Sequence, residues 1–153
     1  MGAAPDLRIV PSCDGVIDGG LPALIPPGEY QLSLQHWQTY KFMGRSPKLS
    51  LSFTVVDPGE HFGALVSRHY NVAALVGKEG RSGRFKASAG CDLVREYARL
   101  LELPGRFDRF DLQSLTRRII VGKVDTVTTT ARQQKLAPAV RYSVVRELLR
   151  IAA

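Results

Sequence analysis

From Gly28 onward, apolar and polar residues alternate with the period of a β-strand, and glycine and proline break the alternation at intervals. In the first run Tyr30, Leu32, Leu34 and His36 share one face, and Gln31, Ser33, Gln35 and Trp37 share the other. That parity turns the aliphatics inward and Trp37 outward unless a bulge intervenes. MGRSPK, residues 43–48, reads as a turn. The next run, residues 49–57, directs Leu49, Leu51, Phe53 and Val55 inward and Ser50, Ser52 and Thr54 outward. Asp57-Pro58-Gly59-Glu60 then makes a turn, since proline presets φ and glycine accepts values closed to other residues. A third strand covers residues 64–72, with faces Leu65/Ser67/His69 and Val66/Arg68/Tyr70/Val72; the pattern does not choose between them. Three strands joined by short turns predict an antiparallel meander.

GKEGRSGRFKASAG, residues 77–90, reads as a long basic loop, of a length that usually carries function. Leu93, Val94, Tyr97, Ala98, Leu100 and Leu101 form one apolar face of a helix over residues 91–102, ended by Pro104-Gly105. Asp111 is a candidate N-cap for a helical turn through Leu115. A fourth strand is expected over residues 117–130, with Gly122 permitting a bulge or bend. The tail, residues 142–151, fits a helical stripe and a bulged strand alike; a closing strand that turns helical at its end is the expectation. Pro5, Pro11, Pro22, Pro26 and Pro27, with Gly15, Gly19 and Gly20, make residues 1–27 an irregular lead-in, leaving a single domain over residues 28–153. The order predicts a mainly β protein with one helix: a five-stranded, antiparallel, OB-like β-barrel with its helix between the third and fourth strands. Folds of that kind commonly bind oligonucleotides.

Composition narrows the partner. Among 153 residues, 21 Lys and Arg face 14 Asp and Glu, a formal charge of +7 that favours DNA, RNA or another polyanion. No apolar run approaches the ~20 residues that cross a bilayer, so no membrane partner is expected. Cys13 and Cys91 are too few and too distant for a zinc ribbon or a disulfide framework, and MGAAPDLRIV lacks the basic and apolar regions of a secretory signal. The expected setting is reducing and cytoplasmic.

Candidate contacts for a single strand are aromatic rings that stack on bases and cations that neutralise phosphates. The rings are Trp37, Tyr40, Phe42, Tyr70 and Phe85. Lys41, Arg45 and Lys48 bracket the first hairpin turn, Arg68 neighbours Tyr70, and Lys78, Arg81, Arg84 and Lys86 fill the glycine-rich segment opposed only by Glu79. Arg132 and Lys135 belong to a later polar loop. Each has a plainer role: rings fill cores and loops are polar anyway. Arg106, Arg109, Arg117 and Arg118 lie among Asp108 and Asp111, where local ion pairing competes with binding. No catalytic residue, metal site or cofactor is expected. GKEGRSGRFK departs from the phosphate-wrapping G-x-x-x-x-G-K-[ST] order, His36, His61 and His69 lack ligand spacing, and Asp108, Asp111 and Asp125 are the only carboxylates that could serve a nuclease metal.

The segments PPGEYQLSLQHWQTYKFMGRSPKLSLSFTVVDPGEHFG, SRHYNV, VGKVDTVTTT and RYSVV, which span most of the chain after Pro26, resemble small OB-fold single-stranded DNA-binding proteins of phages, plasmids and integrative elements. The resemblance implies little sequence preference and a role in replication, recombination or transfer of mobile DNA. RNA would satisfy the same stacking and phosphate chemistry. Other partners consistent with this picture are a replication or recombination protein, on which the chain would dock as an accessory module, and a second copy pairing through strand edges as a homo-oligomer.

Overall fold

A computed structural model describes residues 22–130 and 132–153; residues 1–21, which hold most of the expected lead-in and Cys13, lie outside the described residues. Five long strands supply the frame: β1 (Gly28–Phe42), β2 (Ser46–Val55), β3 (Leu65–Asn71), β7 (Ile119–Val127) and β8 (Tyr142–Ile151). Between β3 and β7 lie three short strands, β4 (Ala74–Val76), β5 (Gly80–Arg81) and β6 (Arg84–Lys86), then helix α1 (Asp92–Leu100) and the single turn α2 (Leu112–Leu115). The main sheet is antiparallel in the order β3-β2-β1-β7-β8, with β5 added to β1, while β4 and β6 form a separate hairpin.

The β2 alternation is seen as expected, with Leu49, Leu51, Phe53 and Val55 all buried. For β3 the buried face is the one carrying Val66 and Tyr70. The connection between β1 and β2 is shorter than expected, residues 43–45, and turns through positive φ at Met43 and Gly44. Asp111 caps α2, its Oδ1 accepting the Ser114 N–H at 3.3 Å.

Four expectations need correction. Residues 77–90 are not a structureless loop: β5 pairs with β1 at Gln38 and Thr39, and β6 pairs with β4. The tail does not turn helical. It is a strand throughout, with Arg146 and Leu149 bulged out of the ladder to β7 between otherwise regular pairs. These bulges reset strand parity, and that is why Val144, Val145, Leu148 and Leu149 imitate helical spacing. Residues 22–27 are irregular but are no mere lead-in, since Ile25 is a core residue and Ala23 and Ile25 hydrogen-bond to Ser143 of β8.

The fourth correction concerns closure. The two sheet edges, β3 and β8, share no ladder, so the sheet is not a closed barrel. Helix α1 bridges them instead. Its Glu96, 1% exposed, accepts hydrogen bonds from the Tyr70 hydroxyl (2.8 Å) and Arg68 Nη2 (2.5 Å) of β3 and from the Leu148 N–H (2.9 Å) of β8. Arg99, one helical turn on, reaches Glu147 and the Leu148 carbonyl. The carboxylate thereby satisfies the Leu148 edge amide, which a ladder would otherwise pair. The remaining apolar face of α1, Leu93, Tyr97 and Leu100, packs into the core.

Candidate nucleic-acid interface

The bulge that residue parity left open occurs in β1. Leu34 pairs with Phe53 and His36 with Ser52, leaving Gln35 unpaired and reversing the parity of all that follows. Trp37 therefore lies opposite the buried Leu51 and is turned to the inner face, contrary to the outward expectation, where it is half-buried against the core. Tyr40, opposite Lys48, takes the outer face. The five candidate rings consequently do not share one channel.

Two clefts result, with no lining residue in common. The first, of about 760 Å³, brings Trp37 together with Arg84, Phe85 and Lys86 of β6 and with Asp108, Arg109 and Phe110 ahead of α2. Its rim is pinned to β1. Ser82 N–H donates to the Trp37 carbonyl (2.9 Å), Trp37 Nε1 donates to the Gly83 carbonyl (3.3 Å), and Thr39 Oγ1 accepts from Gly80 N–H (3.2 Å). Glycine is required at Gly83, since a Cβ there would stand 2.1 Å from Thr39 Oγ1 and 3.0 Å from the Gly80 carbonyl oxygen. Phe110 sits between Phe85 (5.6 Å between centroids) and Tyr97 of α1 (5.0 Å), so the aromatic floor is backed by the core.

The second cleft, of about 420 Å³, opens where β3 meets β8. Lys48, Arg68, His69, Thr129, Thr130, Tyr142 and Arg146 line it beside Val127, Val144 and Val145, and among the described residues no Asp or Glu joins them. Two hairpin connections flank it. One carries Arg45 and is entered from Lys41 and Phe42 at the end of β1; the other carries Arg132 and Lys135, whose backbone is fixed by the Thr129–Lys135 bridge and by Thr130 Oγ1 accepting from Arg132 and Gln134 N–H. Phe42 is 39% exposed, with Lys48 Nζ 5.3 Å from its ring centroid, and Lys48 also donates to Asn71 at 2.6 Å. The Tyr40 hydroxyl meets His69 Nδ1 at 3.0 Å. Burial, then the neighbouring Tyr142, raise the Tyr40 pKa, which keeps it a neutral hydroxyl.

Tyr70 and Arg68 are not available to a strand in the way expected. Tyr70 is 2% exposed, and burial followed by the Glu96 carboxylate pushes its phenol well above the usual range. Arg68 stacks on the Tyr70 ring at 4.2 Å and is paired with Glu96; burial opposes its charge, but the Glu96 hydrogen bond and neighbouring Tyr70, Glu96 and Asp92 outweigh it and raise its pKa. Both serve the seam between β3 and β8. Lys78 and Arg81 are exposed and line neither cleft. Sequence reasoning missed Phe110 as a partner of Trp37, and Tyr142 and Arg146 as partners of Lys48. The signal for the latter pair was their place in one short run, RYSVVR, after a polar connection.

His69 titrates below its ordinary value, because surrounding atoms crowd the ring and because Lys48 and Arg68 repel its charged form. A lowered folded-state pKa means that the unfolded chain takes up the proton first as pH falls below about 6.5, and stability drops. Thermal melts at pH 7.5 and 5.5 should therefore show a larger loss for the native chain than for His69→Gln; equal losses would exclude His69 as the source.

Comparison with protein-family models, curated proteins and solved structures finds no match for the chain. Among the described residues no helix is long and apolar enough to cross a membrane, and no three His, Cys, Asp or Glu side chains cluster as metal ligands. Of the carboxylates considered for a metal, Asp111 caps α2 and Asp125 lies 3.9 Å from Arg146.

Proposed function

We propose that this protein is an OB-like single-stranded DNA-binding module that grips the strand at the cleft between β3 and β8. The order of the five long strands, the open seam and the helix placed between the third and fourth of them agree with a partly open five-stranded barrel, which uses its second and third strands and two hairpin connections to hold oligonucleotides. The observation that carries the reading is the seam cleft itself. Among the described residues it is lined by cations and hydroxyls without a carboxylate, and cationic hairpin ends flank it on two sides. Phosphates would lie along Lys41, Arg45, Lys48, Arg132, Lys135 and Arg146, while Tyr40, Phe42 and Tyr142 offer rings to bases. Contacts of this kind ignore base identity, in keeping with little sequence preference and with work on mobile DNA during replication, recombination or transfer. RNA would bind through the same groups.

Ultraviolet crosslinking to a thymine-rich oligonucleotide, with adducts located by mass spectrometry, tests the placement. Adducts on Tyr40, Phe42 or Tyr142 are expected; their absence alongside adducts elsewhere would contradict it. A second reading, an accessory module docked on a replication or recombination protein, draws on Phe62 and Leu65, whose apolar side chains are 64% and 66% exposed at the start of β3. A stoichiometric partner retained by the native chain after nuclease treatment, and lost on Phe62→Ser with Leu65→Ser, would favour that reading.

A further inference from the structure

The reversal of β1 at Gln35 leaves the Trp37 cleft on the opposite face of the strand from Tyr40 and Lys48, so a strand lying in the seam cleft does not account for it. The Trp37 cleft has three properties of a built ligand site. Its volume, about 760 Å³, falls among those of small-molecule pockets, roughly 300–1,000 Å³. Its walls are held in place before any ligand arrives, by the Ser82, Gly83 and Gly80 bonds to β1 and by the contacts of Phe110 with Phe85 and Tyr97. Its lining interleaves flat rings with charge: Trp37, Phe85 and Phe110 are each partly buried against the core, and among the described residues Arg84, Lys86 and Arg109 stand against Asp108 alone.

Asp108 does little to cancel that charge. Its closest approach to Arg109 is 3.9 Å, with both side chains more than 90% exposed, which is a weak pairing in water. A ligand that satisfies this lining must be planar and anionic at once. An aliphatic acid would leave the rings without a flat partner, and an uncharged heterocycle would leave the cations without one.

We propose that the Trp37 cleft is a nucleotide pocket, separate from the strand-holding cleft, in which a base lies against Trp37, Phe85 and Phe110 and its phosphate meets Arg84, Lys86 and Arg109. The nucleotide comes either free from solution or as the terminal residue of a strand. The pocket does not depend on the strand-binding reading, because the two clefts share no side chain.

The chain has one tryptophan, so its emission reports on this cleft directly. Emission of the whole protein would be titrated with dAMP, with deoxyadenosine, and with oligo(dT) bearing or lacking a 5′-phosphate. Labelled-oligonucleotide anisotropy would be read on the same samples. Saturable quenching by dAMP, much weaker with deoxyadenosine and at least tenfold weaker in an Arg84→Ser, Lys86→Ser variant, is the expected result and identifies a free nucleotide. Quenching only by the 5′-phosphorylated oligonucleotide, with the same sensitivity to that variant, identifies a strand end. Both serine substitutions fall on exposed side chains, so the variant should melt as the native chain does. No quenching by any of these probes in the millimolar range overturns the pocket, as does quenching indifferent to the phosphate and to Arg84 and Lys86. A chain that loses anisotropy while keeping dAMP quenching would defeat the strand reading alone; the reverse would defeat the pocket alone.

Discussion

Replacing Glu96 by alanine should cost about 3–5 kcal/mol, the range found when one partner of a buried ion pair is removed. Its carboxylate is 1% exposed and holds four hydrogen bonds: two from Arg68, one from the Tyr70 hydroxyl and one from the Leu148 N–H. Alanine would take the charged partner from the largely buried Arg68 guanidinium, strand the Tyr70 hydroxyl in the interior, and leave a β8 edge amide without an acceptor. For a chain of this size, a loss of that order lowers the melting temperature by on the order of 10 °C. Arg68→Met, Tyr70→Phe and Glu96→Leu together should recover a large part of the loss, because the stranded charge and hydroxyl go with the carboxylate. A small effect of Glu96→Ala, measured by thermal or urea unfolding, would mean that α1 does not hold the seam.

The second large effect is on affinity. Changing Lys41, Arg45, Lys48, Arg132 and Lys135 together to alanine removes cations from both hairpin ends that flank the seam cleft. Each lost phosphate contact also forfeits the release of condensed counterions, so affinity for oligo(dT) at 50 mM salt should fall by at least about a hundredfold. Lys41, Arg45, Arg132 and Lys135 are exposed and Lys48 is half-exposed, so the fold should survive their removal. An equal number of changes at Arg95, Arg106, Arg117, Arg118 and Arg150, also exposed, should cost much less. Comparable losses from both sets, read by fluorescence anisotropy, would mean that binding follows net charge and not this cleft.

Much of the frame was legible in the sequence because burial there follows strict alternation. Leu49, Leu51, Phe53 and Val55 announce β2, and the spacing of Leu93, Tyr97 and Leu100 announces α1. Glu96 could have been found the same way: it stands three residues after Leu93 and four before Leu100, a lone carboxylate on an apolar stripe. What alternation cannot carry is a bulge, which changes the facing of every later residue without a mark of its own. The bulges at Gln35 in β1 and at Arg146 and Leu149 in β8 account for the inward Trp37 and for the apparent helix in the tail. β5 and β6 were hidden for a different reason. Strands of two and three residues have no period to read, and they exist only because β1 and β4 pair with them. Both clefts likewise join residues distant in sequence, so their cations could be named from composition but not sorted between sites.

The measurement that bears most directly on strand binding is the affinity of the native chain for labelled oligo(dT) as a function of salt. The six cations assigned to phosphates predict, on single-stranded DNA, a slope of log affinity against log salt of about −4, or a weakening of roughly 300-fold between 50 and 200 mM. The alanine variant of the flanking cations should show a much flatter line. A native chain that binds no oligonucleotide at 50 mM salt, or whose binding is indifferent to salt, would contradict the account.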